Sequence, residues 1–458
     1  MAGGWGDVMS PSARKLALLV LLGCVLLLLI RVGLHLQRQN NLPWFVGTAL
    51  AQGLVYFAGV RLVLTGKNMP GALPAVLLFG TLLRISILFA PPYLSDDIYR
   101  YVWDGRVQAA GINPYRFVPD DEQLESLQDN RIYPRINRSD YAPTIYPPVA
   151  QTIFLAATRV SESITWMKTV MFGFEALAVW MLVRLLASLR LPPERVLIYA
   201  WNPLTVWEFA GSGHVDAAAI AFLVLALWMR RRNLPALTGI TLACATLIKF
   251  YPAVIFPALY RRWDWKMPAG FVGTAMLAYL PYAKVGWRVL GFLPGYVEEE
   301  GLKSGERFYL WTLLHKEWAV PWFDGVWYLA LLLLLLLAVA GWFMFRKQDG
   351  EGDFLVHAAI LASLCAVLFS PHYPWYFAWV LPLLVFVPYI PMLYLSVAAF
   401  ILYENRLQET PGSLFRTNTL LYVPFVVLIA AQWLWRRRQS PSLAAVGIAH
   451  RAEDPNAR

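Results

Sequence analysis

PPYLSDDIYRYVWDGRVQAAGINPYRF, residues 91–117, is the stretch whose reading decides the fold. It follows three apolar segments directly and carries two adjacent carboxylates, Asp96 and Asp97, where a membrane crossing would end. Wound as a helix, it puts Asp97, Tyr101, Asp104 and Gln108 on one side and Ile98, Val102, Gly105 and Ala109 on another. Arg100 reaches Asp96 or Asp104 at i±4. The pattern predicts an amphipathic helix in the membrane interface, with its acid and amide groups toward water or a cavity. Carboxylates at that depth are costly unless paired or used. The alternative is a helix N-cap with surface ion pairs.

Composition sets that stretch in a bilayer. Of 458 residues, 58% are hydrophobic and 15% charged, and mean hydropathy is +0.50. A soluble domain carries ~25% charge. The 20 Trp and 22 Tyr suit interfacial aromatic belts. The net charge of +10 comes from Lys and Arg clustered between apolar runs. That is the cytoplasmic-loop pattern, with attraction to anionic lipid, and it implies no nucleic-acid partner. Cys24, Cys244 and Cys365 lie inside apolar segments, so neither a disulfide framework nor a zinc site is expected.

Residues 15–35, 44–64 and 71–91 read as the first three crossings, with Arg14 and Lys15 holding the N-terminus inside. Residues 92–165 then lie outside. Within them, 112–143 reads as an ordered loop and 146–160 as a second interfacial helix; were 146–160 to cross, the basic stretch 188–195 would fall outside. Residues 166–188 return. Two pairs of short helices follow, with outward tips at GSGHVD (211–216) and Phe250–Pro252 and with Arg230–Arg232, Arg261, Arg262 and Lys266 at their bases. Such short segments barely reach across ~30 Å, so their tips should line a cavity beneath the outer headgroups. Further crossings at 267–283, 325–345, 355–371, 377–389, 391–403 and 419–435 flank a second external loop, 284–322. The expectation is an all-α polytopic membrane protein with roughly 14 transmembrane helices. It forms one domain over 1–438, followed by a disordered cytoplasmic tail over 439–458.

This arrangement gathers Asp96, Asp97, His214, Asp216, Lys249 and His372 on the outer side, where convergence of polar groups suggests a site. The motifs that carry a resemblance are SDDIYRYVWDGRVQAAGINPY (95–115), YPP (146–148), NPL and EFAGSGHVDA (within 202–217), LIKFYP around Lys249, and SPHYPWYFAWVLP (370–382). Their order resembles bacterial GT-C superfamily glycosyltransferases, and is particularly similar to the polyprenol-phosphate-mannose-dependent mannosyltransferases. The resemblance spans roughly residues 90–385 at the level of motif order. It implies inverting transfer of mannose, or another hexose or pentose, from a polyprenyl-phosphate donor. The acceptor would be a glycolipid, glycan or protein on the outer face of the cytoplasmic membrane.

Roles follow from that chemistry. A hydroxyl acceptor needs a carboxylate base within ~3 Å. Asp97 matches the family's loop aspartate, with Asp96 as second choice or as a partner that holds Arg100. The departing phosphate needs cations: Lys249 first, then Arg100 and Arg106, although a lone lysine also snorkels. His214 and Asp216 bind the acceptor, orient a base or, for Asp216, cap the next helix. Glu208 bonds sugar hydroxyls or pairs with a neighbouring helix. His372 and Tyr376 line a lipid entrance or pack in the aromatic belt. Glu175 sits mid-crossing, with no partner legible in the sequence. No cofactor is expected, since one Asp pair is a thin ligand set for a divalent metal. The competing class is a polytopic transporter or lipid flippase with an outward acidic site, which calls for matched halves and mid-membrane polar groups.

Overall fold

The computed structural model describes residues 10–66, 69–301, 305, 307–317, 324–346, 350–406 and 412–439. Among them every regular element is helical. The expected tail lies outside the described residues from 440 onward. The first three apolar segments form as α1 (Pro11–Arg38), α2 (Leu42–Thr65) and α3 (Ala72–Leu88). Local chemistry sets their starts. The Ser10 hydroxyl accepts from the Ala13 backbone N–H at 3.2 Å with Pro11 at the first helical position. The Asn41 side chain accepts from the Trp44 N–H at 3.4 Å.

The two helices expected at the interface form as α4 (Asp97–Ala109) and α5 (Pro148–Thr158), and the segment expected to return forms as α6 (Ile164–Ser188). The loop between α4 and α5 is ordered by two short 3-10 turns, Glu122–Leu127 and Tyr133–Arg135. α4 packs against α5 at Gly105, where a Cβ would come within 2.5 Å of the Phe154 carbonyl oxygen. Only glycine permits that approach.

Among the described residues, five helices are long and apolar enough to cross a membrane, or six if the bent pair Pro203–Gly211 and Asp216–Arg231 is one span. The protein is therefore an integral membrane protein. The expectation of roughly 14 crossings also counts segments too short for a full ~30 Å span. They fold as Ala72–Leu88, Pro235–Thr246, Asp353–Leu368 and Ile390–Asn405, all of 10–17 residues. At ~1.5 Å per residue each is shorter than ~30 Å.

Deep in the bundle, the Arg84 guanidinium of α3 grips the Glu175 carboxylate of α6 through two hydrogen bonds, at 2.7 and 3.0 Å. Arg84 also donates to the Ala200 carbonyl at 2.7 Å and to the Thr205 hydroxyl at 3.2 Å, so one side chain ties three segments together. Both charges are almost wholly buried. Glu175→Ala should therefore cost ~3–5 kcal/mol by stranding the guanidinium. The unfolding midpoint of the detergent-purified protein checks this: Glu175→Ala lowers it sharply, and joint replacement of Arg84 and Glu175 by leucine restores most of the loss.

Candidate functional site

Asp97 opens α4 and faces a polar cavity of about 210 Å³, walled also by Asp96, Asn137, Tyr146, Lys249 and Tyr296. One Asp97 oxygen accepts from the Asn137 amide at 2.9 Å, and the other lies 4.0 Å from Nδ1 of His214. Burial pushes this carboxyl up. The His214 ring, the Lys249 ammonium and the Asn137 hydrogen bond outweigh that, and its pKa ends below the ordinary carboxylate value. At neutral pH it is an ionised carboxylate, able to take a proton from a group in the cavity.

Behind Asp97 the row of polar groups continues inward. His214 Nε2 lies 3.4 Å from Oε2 of Glu208, and the other Glu208 oxygen accepts from the Tyr403 hydroxyl. The imidazole is stacked on the Trp375 ring with centroids 4.3 Å apart, which fixes its plane. The backbone makes this row possible in two steps. A wide π-turn, Val206–Gly211, carries Glu208, and Gly213 at φ +78° then turns the chain by 120° into the Asp216–Arg231 helix.

Lys249 occupies the next tip, just past the Pro235–Thr246 helix. Its ammonium lies 3.6 Å from Oδ2 of Asp216 and above the rings of Tyr146 and Tyr376, at 5.5 and 5.6 Å from their centroids. The Tyr251 hydroxyl donates to the other Asp216 oxygen at 3.0 Å. A second cavity of about 390 Å³ begins here; it is largely apolar, and its walls include Val254, Leu333, Leu336 and Phe369. The two cavities share Tyr146, Lys249, Tyr296 and Tyr376 as a common wall. Arg307, paired with Glu300, adds a second cation to the apolar one.

A family model described as "Alpha-(1->6)-mannopyranosyltransferase, N-terminal domain" matches residues 16–264, more than half the chain. The chain belongs to this family. Asp97, His214, Asp216 and Lys249 all fall inside the matched region; Arg307, Tyr376 and Tyr403 lie beyond it. Among curated relatives, alpha-(1->6)-mannopyranosyltransferase A of Mycobacterium tuberculosis is 23% identical over 66% of this chain and 63% of its own length. Alpha-(1->6)-mannopyranosyltransferase B of Corynebacterium glutamicum is 22% identical over 78% of this chain and 67% of its own length. The chain thus spans about two thirds of the length of these relatives, or slightly less. No solved structure matches.

Set against the sequence expectations, this family chain brings Asp97, Asp96, Lys249 and Tyr376 to the cavities and moves others away. Asp96 is exposed at the cavity mouth while Asp97 points inward. Arg106 lines neither cavity: it lies half a turn round α4 from Asp97 and pairs with Asp129 and Glu162, each at 2.8 Å. Arg100 borders the polar cavity, but its guanidinium is committed to Asp104 at 2.9 Å and the Ala142 carbonyl at 3.0 Å. His214 and Glu208 are buried behind Asp97. Asp216 is the first residue of its helix, and no side chain caps that end. His372 stands 3.8 Å from Glu300, outside both cavity walls.

Sequence reasoning missed Arg307, Asn137 and Tyr403. Arg307 stands among several charges of the second external loop, and Tyr403 sits in an apolar run, so neither carries a local signal. The Gly213 corner is open to a direct test. A Cβ there would meet the Ile98 side chain at 2.4 Å, next to Asp97, and a positive φ costs an L-residue ~1–2 kcal/mol. Gly213→Ala should lower the thermal unfolding midpoint accordingly, and an unchanged midpoint would show that the corner relaxes freely.

Proposed function

We propose that this protein is a membrane mannosyltransferase that moves a mannosyl unit from a polyprenyl-phosphate donor to a glycan, glycolipid or protein hydroxyl, with inversion. The observation that carries this reading is the shared wall, which sets an ionised carboxylate in a polar cavity beside a cation at the head of an apolar one. In this scheme the prenyl chain lies in the apolar cavity against Leu333 and Leu336, with its phosphate at Lys249 and Arg307. The acceptor hydroxyl enters the polar cavity and gives its proton to Asp97. Its oxygen attacks the anomeric carbon from the face opposite the phosphate, and the C–O bond to phosphate breaks with its electron pair leaving on the phosphate. Lys249 and Arg307 balance that charge; no cofactor enters the scheme. His214, held between Asp97 and Glu208, keeps the base oriented.

The site would face the exterior of the cytoplasmic membrane, since the arginine clusters mark the opposite ends of the same helices as cytoplasmic. Residues 1–438 act as one unit in this reading. The belonging of the chain to a mannopyranosyltransferase family and the names of both relatives support the sugar.

The test is incubation of the purified protein with a panel of polyprenyl-phospho-sugars, followed by mass spectrometry of the products. Asp97→Asn should lower kcat by ~10²–10⁴ while membrane insertion is unchanged; full activity would remove the mechanism. The wild-type rate falls as pH drops through the Asp97 pKa, below the usual carboxylate range. Lys249→Ala removes one of the charges that hold this value down, so its acid limb should move to higher pH. The apparent KM for the donor should also rise about tenfold or more.

A further inference from the structure

Asp104 lies two turns beyond Asp97 on α4, ~10 Å along the helix axis, and is 1% exposed. It borders neither cavity. Among the described residues, three side chains donate to its two oxygens. Arg100 Nε reaches Oδ1 at 2.9 Å, and the Gln151 amide reaches Oδ2 at 2.9 Å alongside the Thr144 hydroxyl. Behind Gln151 the donors run one way. The Tyr282 hydroxyl donates to the Gln108 side-chain oxygen at 2.8 Å, and the Gln108 amide to the Gln151 side-chain oxygen at 2.7 Å. Hydroxyls and amides both give and receive, so the direction of this chain is set by the member that only accepts, the Asp104 carboxylate.

These bonds hold the wall of the polar cavity in place. Arg100 donates on to the Ala142 carbonyl at 3.0 Å, and the Thr144 hydroxyl oxygen accepts from the Tyr146 backbone N–H at 3.2 Å. Residues 137–146 are thereby docked onto α4. At one end of that stretch Asn137 donates to Asp97, and at the other Tyr146 stands in the shared wall. The Thr144 carbonyl accepts in turn from the Phe292 N–H at 3.0 Å, beside Gly291, where φ is +58° and a Cβ would collide with the same oxygen. Phe292 and Tyr296 form another part of the cavity wall. An ion pair with Arg100 alone would account for one Asp104 oxygen. The other is spent on Thr144, in the loop, and on Gln151, in α5.

We propose, on the reading of Asp97 as the base, that Asp104 is a positioning residue for the transfer reaction: it holds the 137–146 loop where Asn137 and Tyr146 meet Asp97. An amide at position 104 has one oxygen for three donors and turns its own N–H groups against the rest. It also takes from Arg100, itself buried, the carboxylate it pairs with. The loop is then released and its hydrogen bonds to Asp97 are lost. His214 faces Asp97 at 4.0 Å from the Gly213 corner and Lys249 from the next tip, with Asp96 and Tyr101 on its own segment. None of these four bonds to Asp104 among the described residues. Asn137 and Tyr146 hold the Asp97 carboxyl down together with His214 and Lys249, so losing the loop raises it.

The full chain carrying Asp104→Asn can be compared with the wild type in detergent by two readouts. Hydrogen exchange followed by mass spectrometry should show the amides of 137–146 and 291–296 exchanging about tenfold faster or more. Transfer from polyprenyl-phospho-mannose to an alkyl mannoside, measured against pH, should show kcat lowered by about 10²-fold and its acid limb displaced to higher pH, with the donor KM unchanged. A purely structural role would lower the amount of active protein and leave the limb in place. Unchanged exchange overturns the docking, and faster exchange with an unmoved limb overturns the link to Asp97. Should Asp104→Asn fail to fold, Thr144→Val carries the test: it removes one donor, should displace the limb in the same direction, and Thr144→Ser should return it. An unmoved limb in Thr144→Val overturns the proposal. Failure of the Asp97 reading shows separately, as full activity of Asp97→Asn, and the exchange readout needs no turnover.

Discussion

A helix that stops short of the bilayer surface leaves backbone groups and polar side chains that lipid cannot satisfy, and this constraint organises the outer half of the protein. The chain meets it by turning two broken ends inward. The Gly213 corner and the Lys249 tip bring backbone breaks to the same place, and each is sealed by aromatic rings, Trp375 over His214 and Trp379 over Tyr251. Hollows bounded by such breaks can be polar on one side and apolar on the other. That is what Tyr146, Lys249, Tyr296 and Tyr376 divide.

The same constraint governs the charges. Asp97, His214 and Glu208 alternate along one line, and Asp216 and Lys249 along a second. Each acid near the site has a nitrogen within 4.0 Å, so no carboxylate in these rows is buried alone. The cost of burying the Asp97 carboxyl is met by its neighbours, and it stays below its usual pKa despite its burial. Farther in, Arg84 and Glu175 solve the same problem as an isolated pair.

Polarity along the helices is equally marked. The Asp216–Arg231 and Pro235–Thr246 helices meet acids and a lone lysine at one end and a ring of arginines at the other. Two short helices thus tie an electrostatically mixed cavity to one lined by arginines across the thickness of the protein.

Much of this was legible in the sequence, because it rests on short-range patterns. Apolar runs determined α1, α2 and α6, and the alternation of faces in 97–109 determined α4. Asp97 and Lys249 stood out because a charge at the end of an apolar run is costly unless used, and Tyr376 through the motif around His372. Partners were another matter. Glu175 found Arg84 at a separation of 91 residues and Glu208 found Tyr403 at 195, distances over which no periodicity carries information. Only the packed bundle could turn Arg106 away from both cavities, set Arg307 into the wall of the apolar one and place His214 behind Asp97. Each of those outcomes depends on which faces of distant helices meet, and a linear pattern fixes the face of a helix without saying what it will face.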